Sequence, residues 1–229
     1  MKSIGLIGGL TYVSTIEYYR HLNEISNQRL GGNETAEIIV YSVNFGEIKK
    51  LTENGDWKQI SVIMGKAARS LEQAGAGCLM IGANTMHNVA GEIQDAVSIP
   101  LIHIADAVAE HLNNSGIRKT ALLGTRYTMQ LPFYKDYLSR NGIETIIPGE
   151  DDVNYLNRSI YDEFSKNIFL PQTKNKYLEI IEGLSQQGAE GAILGCTEIP
   201  ILLKNTTCNI PLFDTSAIHA AAAVDFILR

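Results

Sequence analysis

Two stretches decide the fold: Cys78-Leu79-Met80-Ile81-Gly82-Ala83-Asn84-Thr85 and Gly191-Ala192-Ile193-Leu194-Gly195-Cys196-Thr197-Glu198. Each is an apolar run of strand length, closed by a glycine and followed by small polar residues. Similar runs precede both. Ile4-Gly5-Leu6-Ile7 and Ile38 to Val43 read as strands in the first half, Thr120 to Leu123 and Glu144 to Ile147 in the second. Between them lie segments with helical spacing of apolar residues: Ser14 to Gln28, Trp57 to Ala74, Gln130 to Arg140 and Tyr177 to Gln187. Uninterrupted apolar strands separated by helices indicate an α/β protein whose parallel sheet is covered on both faces. The pattern occurs twice, since the spacing from Gly8 to Ala83 nearly equals that from Gly124 to Cys196. The expected architecture is two similar parallel-sheet α/β domains that share a cleft at their strand C-termini, where open α/β sheets bind ligands. The expected domains are 1–104 plus 215–229, in which the Ala-rich helix Ser216 to Leu228 returns to the first half, and 105–214. The crossover falls near Ile104–Ser115.

The composition narrows the function. Of 229 residues, 45% are hydrophobic and 19% charged, so a core can form and disorder is not expected. Nineteen Lys and Arg against twenty-five Asp and Glu give a net charge of -6. With no basic stripe, neither nucleic acid nor an anionic membrane surface is an expected partner. No apolar run approaches the roughly 18–20 residues of a membrane span, and the N-terminus lacks a signal-peptide pattern. Three cysteines match no zinc spacing, so no metal is expected, and reduced thiols in a cytoplasmic protein are.

The chemistry-bearing positions lie at the strand ends. Gly8-Gly9-Leu10-Thr11 lets backbone N–H groups approach an anion at a helix start, or simply makes a tight turn; neither a dinucleotide nor a phosphate-loop pattern follows. Cys196 stands at a strand end before a helix, where backbone N–H groups lower a thiol pKa, while Glu198 opposes this. The position suits a base or nucleophile and equally a buried structural cysteine. Asn84, Thr85, Thr125 and Thr128 offer neutral donors and acceptors for a carboxylate. His87 suits a proton relay or a local hydrogen bond. His219, one turn after Thr215, is placed to reach a cleft if its helix packs there. His103, Cys78, Cys208 and Trp57 read as structural.

Taken together, these segments resemble the aspartate/glutamate racemase family. The likeness runs through Ile4 to Gly9, Ser14-Thr15 with Glu17-Tyr18-Tyr19, Arg29 to Gly32, Tyr41 to Phe45, Gly55-Asp56-Trp57, Asn84 to His87, His103 to Asp106, Gly124 to Met129, Pro148 to Val153 and Gly195 to Ile199. The resemblance implies two α/β domains related by a pseudo-twofold, a homodimer, and amino-acid racemisation without pyridoxal phosphate or any other cofactor. It implies two acid/base groups, one per domain, flanking the α-carbon of an acidic amino acid. Cys196 matches one of them. Asn84, Thr85, Thr125, Thr128 and Thr197 match substrate-binding donors, with Thr11 as a further substrate-binding residue and His87, Glu198 and His219 as auxiliary groups. The chain departs from the family where the second acid/base group belongs, because residue 83 is alanine. Val13, Gln130 and Leu131 also stand where relatives often carry acidic residues. The expected activity is racemisation of aspartate or glutamate with Cys196 as one base and a water or His87 in place of the other. The alternatives are a single-cysteine isomerase or decarboxylase of a small carboxylic acid, and a binding homologue.

Overall fold

The structure is a computed structural model that describes residues 2–229. The chain divides into two units: Met1–Ile104 with His219–Arg229, and Ala105–Ile218. The second junction therefore lies within the last helix, a few residues beyond position 215.

In the first unit, β1 (Ser3–Gly8) leads into α1 (Tyr12–Leu30), β2 (Ile38–Ser42), α2 (Phe45–Glu53), α3 (Trp57–Gln73) and β3 (Ala76–Ile81). A 3₁₀ turn at Thr85–Val89 and α4 (Ala90–Gln94) follow, and α5 (Ile104–Asn114) leaves the unit. The strands are parallel in the order β2-β1-β3. Alternate residues of β1 and β3 enter different cores. Ile7, Leu79 and Ile81 pack with Ile48, Ile60, Met64, Ala67 and Leu71 of α2 and α3. Ile4, Leu6, Cys78 and Met80 pack with Tyr18 and Leu22 of α1 and with Ala220, Ala223, Val224 and Ile227 near the C-terminus. Both faces of the sheet are thus buried, which is why the strands read as continuous apolar runs. Each large apolar side chain fully buried this way contributes about 1.5–3 kcal/mol.

The second unit repeats the arrangement. It contains β4 (Lys119–Gly124), α6 (Arg126–Gln130), α7 (Pro132–Arg140), β5 (Glu144–Ile146), α8 (Glu150–Asp162), α9 (Pro171–Gln186), β6 (Gly191–Gly195), α10 (Ile199–Leu202), β7 (Leu212–Asp214) and the start of α11 (Thr215–Leu228). Its parallel order is β5-β4-β6-β7. The first strand of each unit is flanked by the second and the third, so the repeat in the sequence is a repeat of topology.

Several boundaries differ from the sequence reading. The helix expected over Gln130 to Arg140 is two helices, because Pro132 lacks an N–H and holds Leu131 in extended backbone (ψ 147°). The helix expected from Tyr177 begins at Pro171, which occupies a first-turn position that needs no N–H. Helices α2 and α8 and strand β7 were not anticipated. β7 is only three residues long and is held by its pairing with β6.

The first unit also buries polar side chains. His219 is fully buried, with Nε2 2.7 Å from the Ile102 carbonyl and Nδ1 2.9 Å from the Tyr18 hydroxyl. A carbonyl only accepts, so Nε2 carries the proton and Nδ1 accepts from Tyr18. His219 therefore ties α11 to α1 and to the segment after β3, and is a core residue rather than an open ligand contact. At His87 the Ile104 N–H donates to Nε2 (3.3 Å), which leaves Nδ1–H to donate to the Ala83 carbonyl (2.9 Å). His103 stacks edge-on against His87, with ring centroids 4.8 Å apart. Burial lowers the pKa of all three rings, to about 4 for His103 and His219, and neighbouring imidazoles lower that of His87 further.

Two tests follow from this packing, and Trp57, the single tryptophan, reports on the first unit. Gly9 has φ +76°, and a Cβ there would lie 2.3 Å from the Val43 carbonyl oxygen. Gly9→Ala should cost roughly 2–4 kcal/mol, combining the left-handed penalty with the clash, read from the urea midpoint of Trp57 emission. An unchanged midpoint would mean that the loop backs away freely. The histidines test the polar core. Their folded pKa values lie below the unfolded value of about 6.5, so their stabilisation is complete above that pH and is lost as pH falls toward 4. His219 alone should account for about 2–3 kcal/mol between pH 6.5 and 4.5. His219→Gln should flatten the acid slope of stability; an unaltered slope would remove His219 as its source.

Candidate functional site

The glycines that close the strands set the geometry. Gly124 and Gly195 are register partners on β4 and β6. A Cβ on Gly124 would meet the Gly195 oxygen at 2.8 Å, and one on Gly195 would meet the Leu123 oxygen at 2.8 Å. Side chains are therefore excluded from both strand ends, and the next residues, Thr125 and Cys196, emerge along one edge of the sheet. In the first unit the equivalent edge carries Gly82, whose N–H donates to the Ile7 carbonyl (2.9 Å), followed by Ala83, Asn84 and Thr85.

Cys196, Thr197 and Glu198 form a compact buried group. The Cys196 Sγ donates to Glu198 Oε2 at 3.0 Å, and the Thr197 hydroxyl donates to the same oxygen at 2.7 Å. Cys196 is 9% exposed and Glu198 2% exposed. Burial is the largest influence on the thiol and raises its pKa well above the ordinary value; the charge and hydrogen bond of Glu198 raise it further. The Glu198 backbone N–H lowers it, as the strand-end position suggested, but this is the smallest contribution. Of the two opposing influences that the sequence showed on this thiol, the raising one of Glu198 prevails and burial adds to it, with the thiol hydrogen-bonded to the carboxylate. The helix that follows is only α10, four residues long with Pro200 in its first turn.

The threonines are local fasteners as well as site residues. Thr125 caps α6, accepting from the Thr128 N–H at 3.2 Å, and the two hydroxyls lie 3.2 Å apart. Thr11 caps α1, accepting from the Ser14 N–H at 3.0 Å. The Ser14 hydroxyl in turn donates to the Gly82 carbonyl at 2.6 Å, which links the two strand ends of the first unit. Asn84 and Thr85 are buried at the start of the 3₁₀ turn. Within the first unit Thr11, Ala83, Asn84, Thr85 and His87 thus lie at strand ends, as do Thr125, Thr128, Cys196, Thr197 and Glu198 in the second. His219 belongs to the core described above. His87 has both ring nitrogens hydrogen-bonded to backbone, Nε2 to the Ile104 N–H and Nδ1 to the Ala83 carbonyl.

The sequence reading passed over Tyr177 as a helix start. It is fully buried, its hydroxyl lies 2.9 Å from the Ser159 Oγ, and burial raises its pKa well above the ordinary value. Its apolar spacing on α9 is that of any core residue, so no local signal marks it. Cys78 is a core residue whose thiol burial pushes up to about 11. Among the described residues no group of three or more His, Cys, Asp or Glu is arranged to hold a metal ion.

Comparison with known proteins matches this arrangement to one family. The pattern of the Asp/Glu/Hydantoin racemase family matches residues 7–223. A broad-specificity amino-acid racemase of Bacillus subtilis (strain 168) is 26% identical over 98% of both chains. A candidate Asp/Glu racemase from Yersinia pestis has a crystal structure that superposes with a TM-score of 0.91 at 45% identity, over the full length of both chains. An aspartate racemase homologue from Pyrococcus horikoshii OT3 superposes with a TM-score of 0.87 at 36% identity, again over both full lengths. The chain belongs to the Asp/Glu/Hydantoin racemase family.

Proposed function

We propose that the protein is an amino-acid isomerase acting on an acidic amino acid by proton transfer at the α-carbon, with Cys196 as its proton-handling group and Glu198 as the partner of that group. The 3.0 Å contact between Cys196 Sγ and Glu198 Oε2 in a buried setting carries this reading. A buried thiol beside a carboxylate can pass its proton to the carboxylate as the substrate arrives. The thiolate so formed takes the α-proton, leaving a carbanion, a neutral thiol and a protonated Glu198. Reversing the two transfers returns the proton to the same face. Family membership and the Bacillus subtilis relative named an amino-acid racemase support the reaction class.

The opposite face is where this chain differs. Ala83 has no proton to give, and His87 donates its proton to the Ala83 carbonyl. Inversion would then rely on water, and general acid/base groups are worth on the order of 10²–10⁴ in rate. The protein should therefore exchange the α-proton faster than it inverts the centre. A thiol held protonated at rest also suits delivery of a proton to a carbanion formed by loss of carbon dioxide, so decarboxylation of a small carboxylic acid is the second reading.

Proton NMR of L-aspartate and L-glutamate in D₂O, with chiral chromatography of the same samples, tests this directly. Loss of the α-proton signal should outpace appearance of the D-isomer. Cys196→Ser should slow exchange by roughly 10²–10⁴ with the fold intact. Ala83→Cys should raise inversion relative to exchange. Exchange that persists unchanged in Cys196→Ser would remove the assigned base, and no exchange with either acid would sink the substrate assignment.

A second test separates Glu198 as proton acceptor from Glu198 as mere neighbour. Its charge raises the thiol pKa, so Glu198→Gln should move the pH midpoint of Cys196 alkylation to lower values. α-Proton exchange should nevertheless fall, because the acceptor is gone. Faster exchange in Glu198→Gln would make the thiolate fraction, rather than the carboxylate, the controlling factor.

A further inference from the structure

The second unit holds an open cavity of about 540 Å³ lined by Arg126, Asp151, Asn154, Asn157 and Arg158. None of these residues belongs to the Cys196–Glu198 group, and the preceding sections assign none of them a function. The lining is organised by Arg126, the first residue of α6. Its backbone N–H donates to Asn157 Oδ1 at 2.9 Å, and its guanidinium donates to Asn154 Oδ1. With each amide oxygen already accepting from Arg126, the NH₂ groups of Asn154 and Asn157 remain as donors. Asp151, Asn154 and Arg158 recur along α8 at the spacing that places them on one helix face.

The charges in this cavity are not spent on one another. Nearby groups are paired: Lys176 bridges to Asp152 at 2.9 Å, and Gln130 donates to Glu150 at 3.0 Å. Among the described residues neither Asp151 nor Arg158 forms an ion pair. The Arg126 guanidinium has an amide oxygen as its partner and keeps further N–H donors free. The cavity therefore offers two guanidiniums, two amide donors and one carboxylate.

We infer that this cavity binds a free acidic amino acid, with its two carboxylates on Arg126 and Arg158 and its ammonium on Asp151. The count of charges matches: two cations and one anion in the protein face two anions and one cation in the ligand. Planar guanidiniums take carboxylates in forked pairs, which gives direction as well as attraction. A simple inorganic anion would leave Asp151 repelled, and a diamine would leave both arginines unused. The site does not depend on the reading of Cys196, since none of its groups takes part in proton transfer.

The test uses the full chain labelled with ¹⁵N at low ionic strength, where surface charges are least screened. The readouts are the side-chain amide signals of Asn154 and Asn157 and the Nε–H signal of Arg158. L-Glutamate should move these signals saturably. Arg158→Met should weaken that binding roughly tenfold or more, and Arg158→Lys, which keeps charge but not the fork, should fall between. Glutarate, which lacks the ammonium, should bind more weakly than glutamate to the unaltered protein and equally well to Asp151→Asn. No saturable movement, an unchanged affinity in Arg158→Met with the rest of the spectrum intact, or glutarate binding as tightly as glutamate would each overturn the inference. α-Proton exchange measured in the same samples separates the two proposals: its absence with the shifts present counts against the reaction alone, and the reverse counts against this site alone.

Discussion

The structure depends on how closely parallel backbones approach at the ends of their strands. At Gly124 and Gly195 a carbonyl oxygen of the neighbouring strand lies 2.8 Å from where a Cβ would stand. Gly9, just beyond β1, has a left-handed backbone with the backbone of Val43 in the place of a side chain. These approaches leave room only for hydrogen, and they turn the chain so that the following polar residues gather on one edge of each sheet. Thr125 and Cys196 follow register partners on adjacent parallel strands, where only glycine fits.

A second constraint is the cost of burying polar groups. A buried donor or acceptor without a partner is expensive, so buried polar side chains are as a rule tied to something specific. The three buried histidines of the first unit illustrate this. Two have both nitrogens committed to backbone or to Tyr18, which fixes their tautomers and holds them neutral. Cys196 and Glu198 solve the same problem differently, since the thiol donates and the carboxylate accepts. That solution stores a proton beside a base. The buried His87 and His219 are held by backbone and Tyr18, whereas Cys196 and Glu198 are held by each other.

The fold was legible in the sequence because both faces of each sheet are buried. Strands such as Ile4 to Ile7 and Gly191 to Leu194 carry no polar residue to obscure them, and the doubled pattern predicted the doubled strand order. The elements that escaped notice have little pattern of their own. Strand β7 exists through its pairing with β6. Helix α8 opens on Glu150, Asp151 and Asp152, which resemble a loop until their place in a first helical turn is seen.

By itself the sequence determined the class of fold, the family, the position of Cys196 at a strand end and the presence of alanine at position 83. These are properties of residue identity and periodicity. Only the tertiary structure decided the direction in which the thiol's pKa is pushed and the hydrogen-bond partners of the histidines. A strand-end cysteine suggested a lowered pKa, but burial and Glu198 outweigh the backbone N–H that would lower it. His219 looked available from its place on a helix, yet Tyr18 and Ile102, both distant in sequence, consume its two nitrogens. Desolvation and long-range hydrogen bonds arise only when remote segments meet, and no local pattern of residues encodes them.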